Sequence, residues 1–434
     1  MADSTLSFDI AIVGGGSAGL AAAAYAARMA SGRWSVAILE KAPRVGRKLL
    51  ATGNGTCNLS NSGAAPNRYH GARPEFILPA LKEFDPETVC SYFTSIGVEC
   101  VERGSGRIYP LCEQAGAVLD CLRLELQEYN VSEICDTAVL RIFKQKNGFQ
   151  VLTSKGEMQA RRLLVCTGGA SSPSLGGSAE AYDLLSDLGH ARTPVFPSIV
   201  QVRTDTQFVR AVKGVRVDAL IAFELDGVRL ASEKGEVLFT EYGLSGPAVM
   251  QISRCVSDWE RRRKGRMTAV LNLLPDLEEA ALSDSLGRRS GMRGRTLGDF
   301  LTGLLQKRLG QTVMRAAGYD INDRVSLLHE SDLIKIRRAI THWEIEVTGT
   351  QGMGGAQVTA GGIETAGFDP VTMESRIVPG LYAAGEVLDI DGDCGGFNLQ
   401  WAWSSGFAAA GAIVNSLEIE EQGLRRGRLS ACEE

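Results

Sequence analysis

Residues 8–27, FDIAIVGGGSAGLAAAAYAA, constrain the fold more than any other stretch of the chain. Gly14, Gly16 and Gly19 form a G-x-G-x-x-G between an apolar run and an alanine-rich one. A second apolar run, WSVAILE, occupies residues 34–40, so residues 8–40 read as strand, glycine turn, helix and parallel strand. Such a βαβ unit needs about thirty residues. The glycines differ in mechanical role. Gly14 lets the chain leave the strand sharply, Gly16 admits a pyrophosphate against bare backbone, and Gly19 lets helix and strand approach. The helix N-terminus then offers the phosphates unpaired N–H groups and partial positive charge. The second strand ends at Glu40, twenty-one residues past Gly19. A carboxylate there accepts from ribose hydroxyls and repels a 2′-phosphate. The reading is a dinucleotide site, and a glycine turn without ligand is the alternative.

A chain of 434 residues exceeds one ordinary core and implies two or three domains. Its 46 basic against 51 acidic residues leave a net charge of -5, which gives no electrostatic reason to expect nucleic acid or a polybasic membrane surface. The basic runs at 261–265 and 288–295 have acidic neighbours and no interleaved aromatic platform, so they read as solvated faces. A small-molecule substrate is the expected partner. The ten cysteines show no C-x-x-C, and the four histidines, at 70, 190, 329 and 342, stand apart from them and from one another. No metal site is expected, and the cysteines read as reduced thiols of a cytoplasmic protein. The apolar stretch 10–30 is broken by four glycines and carries Arg28, so it reads as neither signal peptide nor membrane span.

Further along, residues 85–129 have helical patterns, and TAVLRIFKQ, GFQVLTSK and ARRLLVCTGG form a meander turned at KNG and KGE. Composition changes near Pro194 and Pro197. Alternating strands fill 198–274, charged helical patterns fill 276–340, and glycine density returns in VTGTQGMGGAQVTAGGIE. The expected organisation is an α/β nucleotide-binding domain of residues 1–195 and 345–434, interrupted by a β-rich substrate domain at 196–275 and a small helical subdomain at 276–344. The helical piece is the expected homodimer surface or substrate lid.

After VAILEK comes APRVGRKLLATGNGTCNLSN, where basic residues precede an Asn/Gly turn. A nicotinamide that comes and goes needs no such appendage, whereas a bound flavin ring must be cradled beyond the pyrophosphate. A solvated basic loop is the other reading of the composition. Together with LLVCTGGASSPSLGGSAEAYDLLSDLGH, LFTEYGLSGPAVMQIS, VTGTQGMGGAQVTAGGI and PGLYAAGEVLDIDGDCGGFNLQWAWSSGFAAA, these motifs resemble the bacterial FAD-dependent aminoacetone oxidase family, which includes the BaiN-type bile-acid and steroid enone reductases. The resemblance runs from about residue 8 to 411. It implies a Rossmann-like two-dinucleotide-binding-domain flavoprotein core with an inserted β-barrel-like domain and a small helical domain.

By the same resemblance Gly14, Gly16, Ser17, Ala18 and Gly19 would face the FAD pyrophosphate and Glu40 the adenosine ribose, with Lys41 beside it. Lys48, Asn54, Cys57 and Asn58 would flank flavin and pyrophosphate, while Thr167, Gly168 and Gly169 close a second motif. Gly385 and Glu386 stand where flavoproteins carry Gly-Asp against the ribityl chain. Gly396, Asn398, Leu399 and Gln400 open an apolar helix whose N-terminus would stabilise negative charge on reduced flavin. Many relatives have Arg in place of Thr56 and His in place of Glu241. Tyr109, Glu241, Tyr242 and Arg107 are the candidate proton donors or substrate clamps. Each also has a plain reading, as a wall residue or loop carboxylate, and Cys57 reads more simply as a packed small residue. The expected reaction is reduction of an activated C=C bond, as in an enone, with NAD(P)H as electron donor. Oxidation of an amine, or a flavin-binding sensor or RNA-modification-associated protein without turnover, are the alternatives.

Overall fold

The computed structural model describes residues 6–292 and 294–430, so Arg293 of the second basic run and Cys432 lie outside it. Two compact units emerge: Met1–Val195 with Val358–Glu434, and Phe196–Gln357.

In the first unit the opening strand Leu6–Val13 pairs in parallel with Val36–Leu39 on one side and with Gly156–Val165 on the other. Ser132–Ile134 extends the sheet beyond Val36–Leu39, also in parallel. The ten-residue strand Gly156–Val165 is shared along its length. Its first half pairs antiparallel with Gly148–Thr153, and its last three residues pair in parallel with Leu381–Ala383. The expected meander is present: Val139–Gln145, Gly148–Thr153 and Gly156–Val165 follow one another through two-residue turns. Val36–Leu39 is buried at every position, as a parallel strand covered on both faces must be.

The helix Ser17–Met29 packs between this sheet and the 34-residue helix Phe397–Ser430. Seven of its residues are alanines, which bury well but fill little space, so backbones approach closely. A Cβ on Gly19 would collide with the carbonyl oxygen of Gly14, and one on Gly406 would sit 2.8 Å from the carbonyl oxygen of Ala18.

The second unit is a closed six-stranded barrel of Val202–Thr204, Gly243–Ser245, Val228–Phe239, Arg216–Leu225, Met267–Asn272 and Trp343–Thr350. The helices Glu279–Ser290, Lys307–Ala316 and Glu330–Thr341 pack onto the barrel, where Leu282, Leu286, Leu309, Val313, Ile336 and Ile340 join one hydrophobic cluster with barrel residues such as Phe223, Phe239 and Trp343. The return to the first unit comes at Val358 rather than 345, since Trp343–Thr350 is a barrel strand with alternating burial. That alternation merges in the sequence with the glycine-rich string that follows it. Among the described residues no helix is long and apolar enough to cross a membrane.

The Gly19 contact has a measurable cost. Alanine gains about 1 kcal/mol over glycine in helix propensity. Forcing a methyl group into a backbone carbonyl that cannot yield costs about 1–3 kcal/mol or more. Gly19→Ala therefore lowers the unfolding free energy in urea, whereas Gly32→Ala, whose Cβ meets nothing within 4 Å, costs only the strain of its positive φ of 71°.

Candidate functional site

The three glycines of the first loop differ in what surrounds them. Gly14 adopts φ 104° and passes so close to Cys166 that no Cβ would fit. Gly16, by contrast, has nothing within 4 Å of where a Cβ would stand. Ser17 and Ala18 open the helix, and Gly16 has no side chain to cap it, so its first N–H groups keep no intrahelical partner. Glu40 is tied to the loop: Oε2 accepts from the Gly15 N–H at 2.8 Å and Oε1 from the Ala42 N–H at 2.8 Å. Each oxygen retains a lone pair for a further donor. Lys41 is exposed.

The second loop is conformationally unusual. Gly53, Asn54, Gly55 and Cys57 all have positive φ, at 58°, 55°, 93° and 58°. Non-glycine residues in that region cost of order 1–3 kcal/mol each when nothing local favours them. Asn54 is exposed, while Cys57 is fully buried, and burial pushes its thiol up to about 12, so it stays protonated. Asn58 carries a buried Oδ1 without a hydrogen-bond partner among the described residues. Thr167, in the third motif, has a buried Oγ1 in the same condition. The next residue, Gly168, has φ 71° and open space at its Cβ position, whereas Gly169 is pressed against Thr359 and Glu386. The Asn58 Oδ1 lies 2.9 Å from the Cβ position of Gly396, so the second and fourth motifs meet.

Glu386 is held by three protein donors. Its Oε2 accepts from Lys48 Nζ at 2.8 Å, and its Oε1 accepts from the Thr359 N–H at 2.7 Å and from the Ser171 hydroxyl at 3.1 Å. Lys48 also donates to Ser171 at 2.8 Å. Burial raises the Glu386 carboxyl, but the Lys48 charge and hydrogen bond with the Thr359 N–H outweigh it and hold the group below its ordinary 4.5. Ser171 and Thr359 were missed from sequence because only contacts across the fold give them a role. Two helix-start residues are likewise spent on the protein. The Asn398 amide accepts from the Gly392 N–H and donates to the carbonyls of Gly392 and Asp393. Gln400 is fully buried and bonded to Phe84, Ser404 and Ser60. Their side chains lock the turn.

Among the candidate reactive groups, Tyr109 and Arg107 share one face of the strand Arg107–Pro110, with Ile108 and Pro110 buried on the other. Arg107 Nε stands 3.4 Å from the Cβ position of Gly395, and Asn61 on the paired strand donates to the Gly395 carbonyl at 2.8 Å. Arg107 has no ion-pair partner among the described residues. Glu241 and Tyr242 belong to the second unit, on the turn before Gly243–Ser245. The Glu241 side chain is 63% exposed, and its hydrogen bond and ion pair with Lys213 hold its carboxyl low. It is a surface ion pair and a poor proton donor at neutral pH.

Replacing Lys48 with Met leaves Glu386 charged and unpaired in a part-buried place, the two side chains being 32% and 20% exposed. The loss is about 2 kcal/mol, less than the roughly 3–5 of a fully buried pair. Because the folded-state carboxyl lies below 4.5, its stabilisation is present above that pH and lost as pH falls through the folded value. Urea melts between pH 7 and pH 3 should show this acid limb in the wild type and its flattening in Lys48→Met.

Comparison with known proteins agrees with the geometry. The HI0933-like protein Rossmann domain family matches residues 8–412. A 3-dehydro-bile acid delta(4,6)-reductase of Clostridium scindens is 36% identical over 406 residues, spanning 93% of this chain and 98% of that protein. A ribosomal RNA dihydrouridine synthase of Escherichia coli is 32% identical over 412 residues, spanning 94% and 98%. Among solved structures, a quinol-fumarate reductase with menaquinol molecules superposes with a TM-score of 0.50 at 18% identity, over 95% of this chain and 71% of that one, a likeness of fold. The architecture is a Rossmann-type α/β flavoprotein fold bearing a closed six-stranded barrel. With the family match covering nearly the whole chain, this protein belongs to the HI0933-like Rossmann-domain family.

Proposed function

We propose that the chain is an FAD-dependent oxidoreductase that reduces a C=C bond conjugated to a carbonyl in a small organic substrate, with NAD(P)H as electron donor. The observation that carries the cofactor is the pair of buried, partnerless oxygens, Asn58 Oδ1 and Thr167 Oγ1, among glycines whose Cβ positions are open at Gly16, Gly55 and Gly168. Buried polar atoms are seldom left unsatisfied, and a flavin dinucleotide brings ring N–H and ribityl O–H donors. Bound FAD would supply hydride transfer. The chain holds it through the Gly14–Gly16 backbone, Glu40, and the backbone around Thr167 and Gly396.

The chain's own residues supply the rest. Arg107, a half-buried cation without a carboxylate partner among the described residues, suits an oxygen that gains negative charge when hydride adds at the far carbon of an enone. Tyr109 on the same face is a second donor. Lys48 neutralises Glu386 and so keeps a free carboxylate out of the site. The 36% identity to a bile acid reductase supports an enone substrate. A second reading, uracil in ribosomal RNA, is favoured by the relatives at 32% and 31% identity. It uses the same chemistry, because the uracil C5=C6 bond is conjugated to a carbonyl.

The purified protein should be yellow, bleach on anaerobic mixing with NADH or NADPH, and recover with a steroid enone. Recovery only with air and an amine supports the oxidase alternative, and recovery only with uridine-containing RNA supports the second reading. A colourless protein sinks all three. Asn58→Leu, which keeps the volume and removes the waiting acceptor, should raise the FAD dissociation constant of the deflavinated protein by about tenfold, the equivalent of one charge-free hydrogen bond of about 1.4 kcal/mol.

A further inference from the structure

His70 stands alone in sequence but not in space. The segment Tyr69–His70 pairs antiparallel with Asp391–Gly392, immediately before the Gly395–Gly396 turn. His70 Nε2 lies 2.8 Å from Asp393 Oδ1, while Arg68 contacts Oδ2 of the same carboxylate at 3.3 Å. The clasp is reinforced on both sides: the Tyr69 hydroxyl donates to the Phe397 carbonyl at 3.1 Å, the Ala72 N–H donates to Asp389 at 3.0 Å, and the Asp393 N–H donates to the Arg68 carbonyl at 2.9 Å. Asp393 is 12% exposed and the His70 ring 37% exposed. Among the described residues Nδ1 of His70 has no hydrogen-bond partner.

We propose that His70, oriented by Asp393, is the proton donor of the site around the Gly395–Gly396 turn. The proposal rests on the reductase reading and adds the group that reading lacks. A carboxylate on one ring nitrogen fixes the plane and tautomer and leaves the other nitrogen to exchange protons. The ring has access to water on one side and a rigid mount on the other. Arg68 contacts the other oxygen of Asp393, and Arg107, whose charge acts on Cys394, is the cation that the negative oxygen of the substrate meets. Bound FAD, reduced by NAD(P)H, would supply the hydride for the new C–H bond at the β-carbon, which leaves the π pair on the α-carbon to take a proton. The Nδ1–H bond of the imidazolium breaks to form the α-C–H bond, and the neutral ring regains a proton from water. Asp393 is a positioning residue in this step.

Two measurements on the flavin-loaded protein test this. In ¹⁵N-histidine NMR at pH 8, the wild type should show His70 with Nε2 protonated and Nδ1 bare, and Asp393→Asn should abolish that preference. In stopped flow, His70→Asn should bleach with NADH at the wild-type rate and regain colour with a steroid enone at least tenfold more slowly, with flavin content unchanged. His70→Gln, which places an N–H donor near the Nε2 position only, should not restore the rate. An Nδ1–H tautomer in the wild type, or equal reoxidation of wild type and His70→Asn, overturns the role of His70 and leaves the reductase reading standing. Reoxidation of neither protein by any enone overturns the reductase reading, and the proton donor with it.

Discussion

The absence of side chains where backbones cross is the constraint on which the first unit depends. Gly14 passes the carbonyl of Cys166, Gly19 passes the carbonyl of Gly14, Gly385 faces Ala18, and Gly406 lies over the carbonyl of Ala18. These contacts bring the ends of three parallel strands, at Val13, Val165 and Ala383, to one edge beside two helix N-termini. Ligands of open α/β sheets bind outside the carboxyl ends of the strands, so this edge is where a dinucleotide belongs. A methyl group at a crossing would separate the layers, and the alanines of Ser17–Met29 would lose the dispersion contacts that their small size otherwise maximises.

Electrostatics then fixes how the four motif segments meet. Lys48, Ser171, Thr359 and Glu386 come from four places in the chain and satisfy one another within 2.7–3.1 Å. A carboxylate placed this deep loses hydration, and only a full set of donors restores it. The clasp of residues 68–72 on 389–397 works in the same way at the turn preceding the long helix. Between these two clamps the loop 53–58 keeps its left-handed run, and the partnerless oxygens of Asn58 and Thr167 mark what the protein itself does not fill.

The βαβ unit, its glycine turn and the meander were legible because each is set by local chemistry: apolar period, a turn that only glycine adopts, two-residue hairpins. The strand Trp343–Thr350 was obscured by the glycine string that follows it, and the helices of 279–341 looked like a separate domain because their shared partner, the barrel core, is distant in sequence. Glu386, Asn398 and Gln400 carry the right residue types in the right motif, yet their side chains are committed to Lys48, to Gly392 and to Phe84. His70 was set aside for want of a neighbour, and its neighbour is 323 residues away.

Sequence alone determined that this chain makes a Rossmann loop and that an acidic residue ends the second strand at position 40. Those follow from backbone sterics and short-range pattern, which act within a few residues. Tertiary structure decided which polar side chains are free and which are spent, because hydrogen-bond satisfaction is settled by whatever distant group arrives first at about 3 Å. It also paired a half-exposed histidine with a carboxylate and left an arginine without one, and the proposed proton and charge traffic of the site follows from that asymmetry.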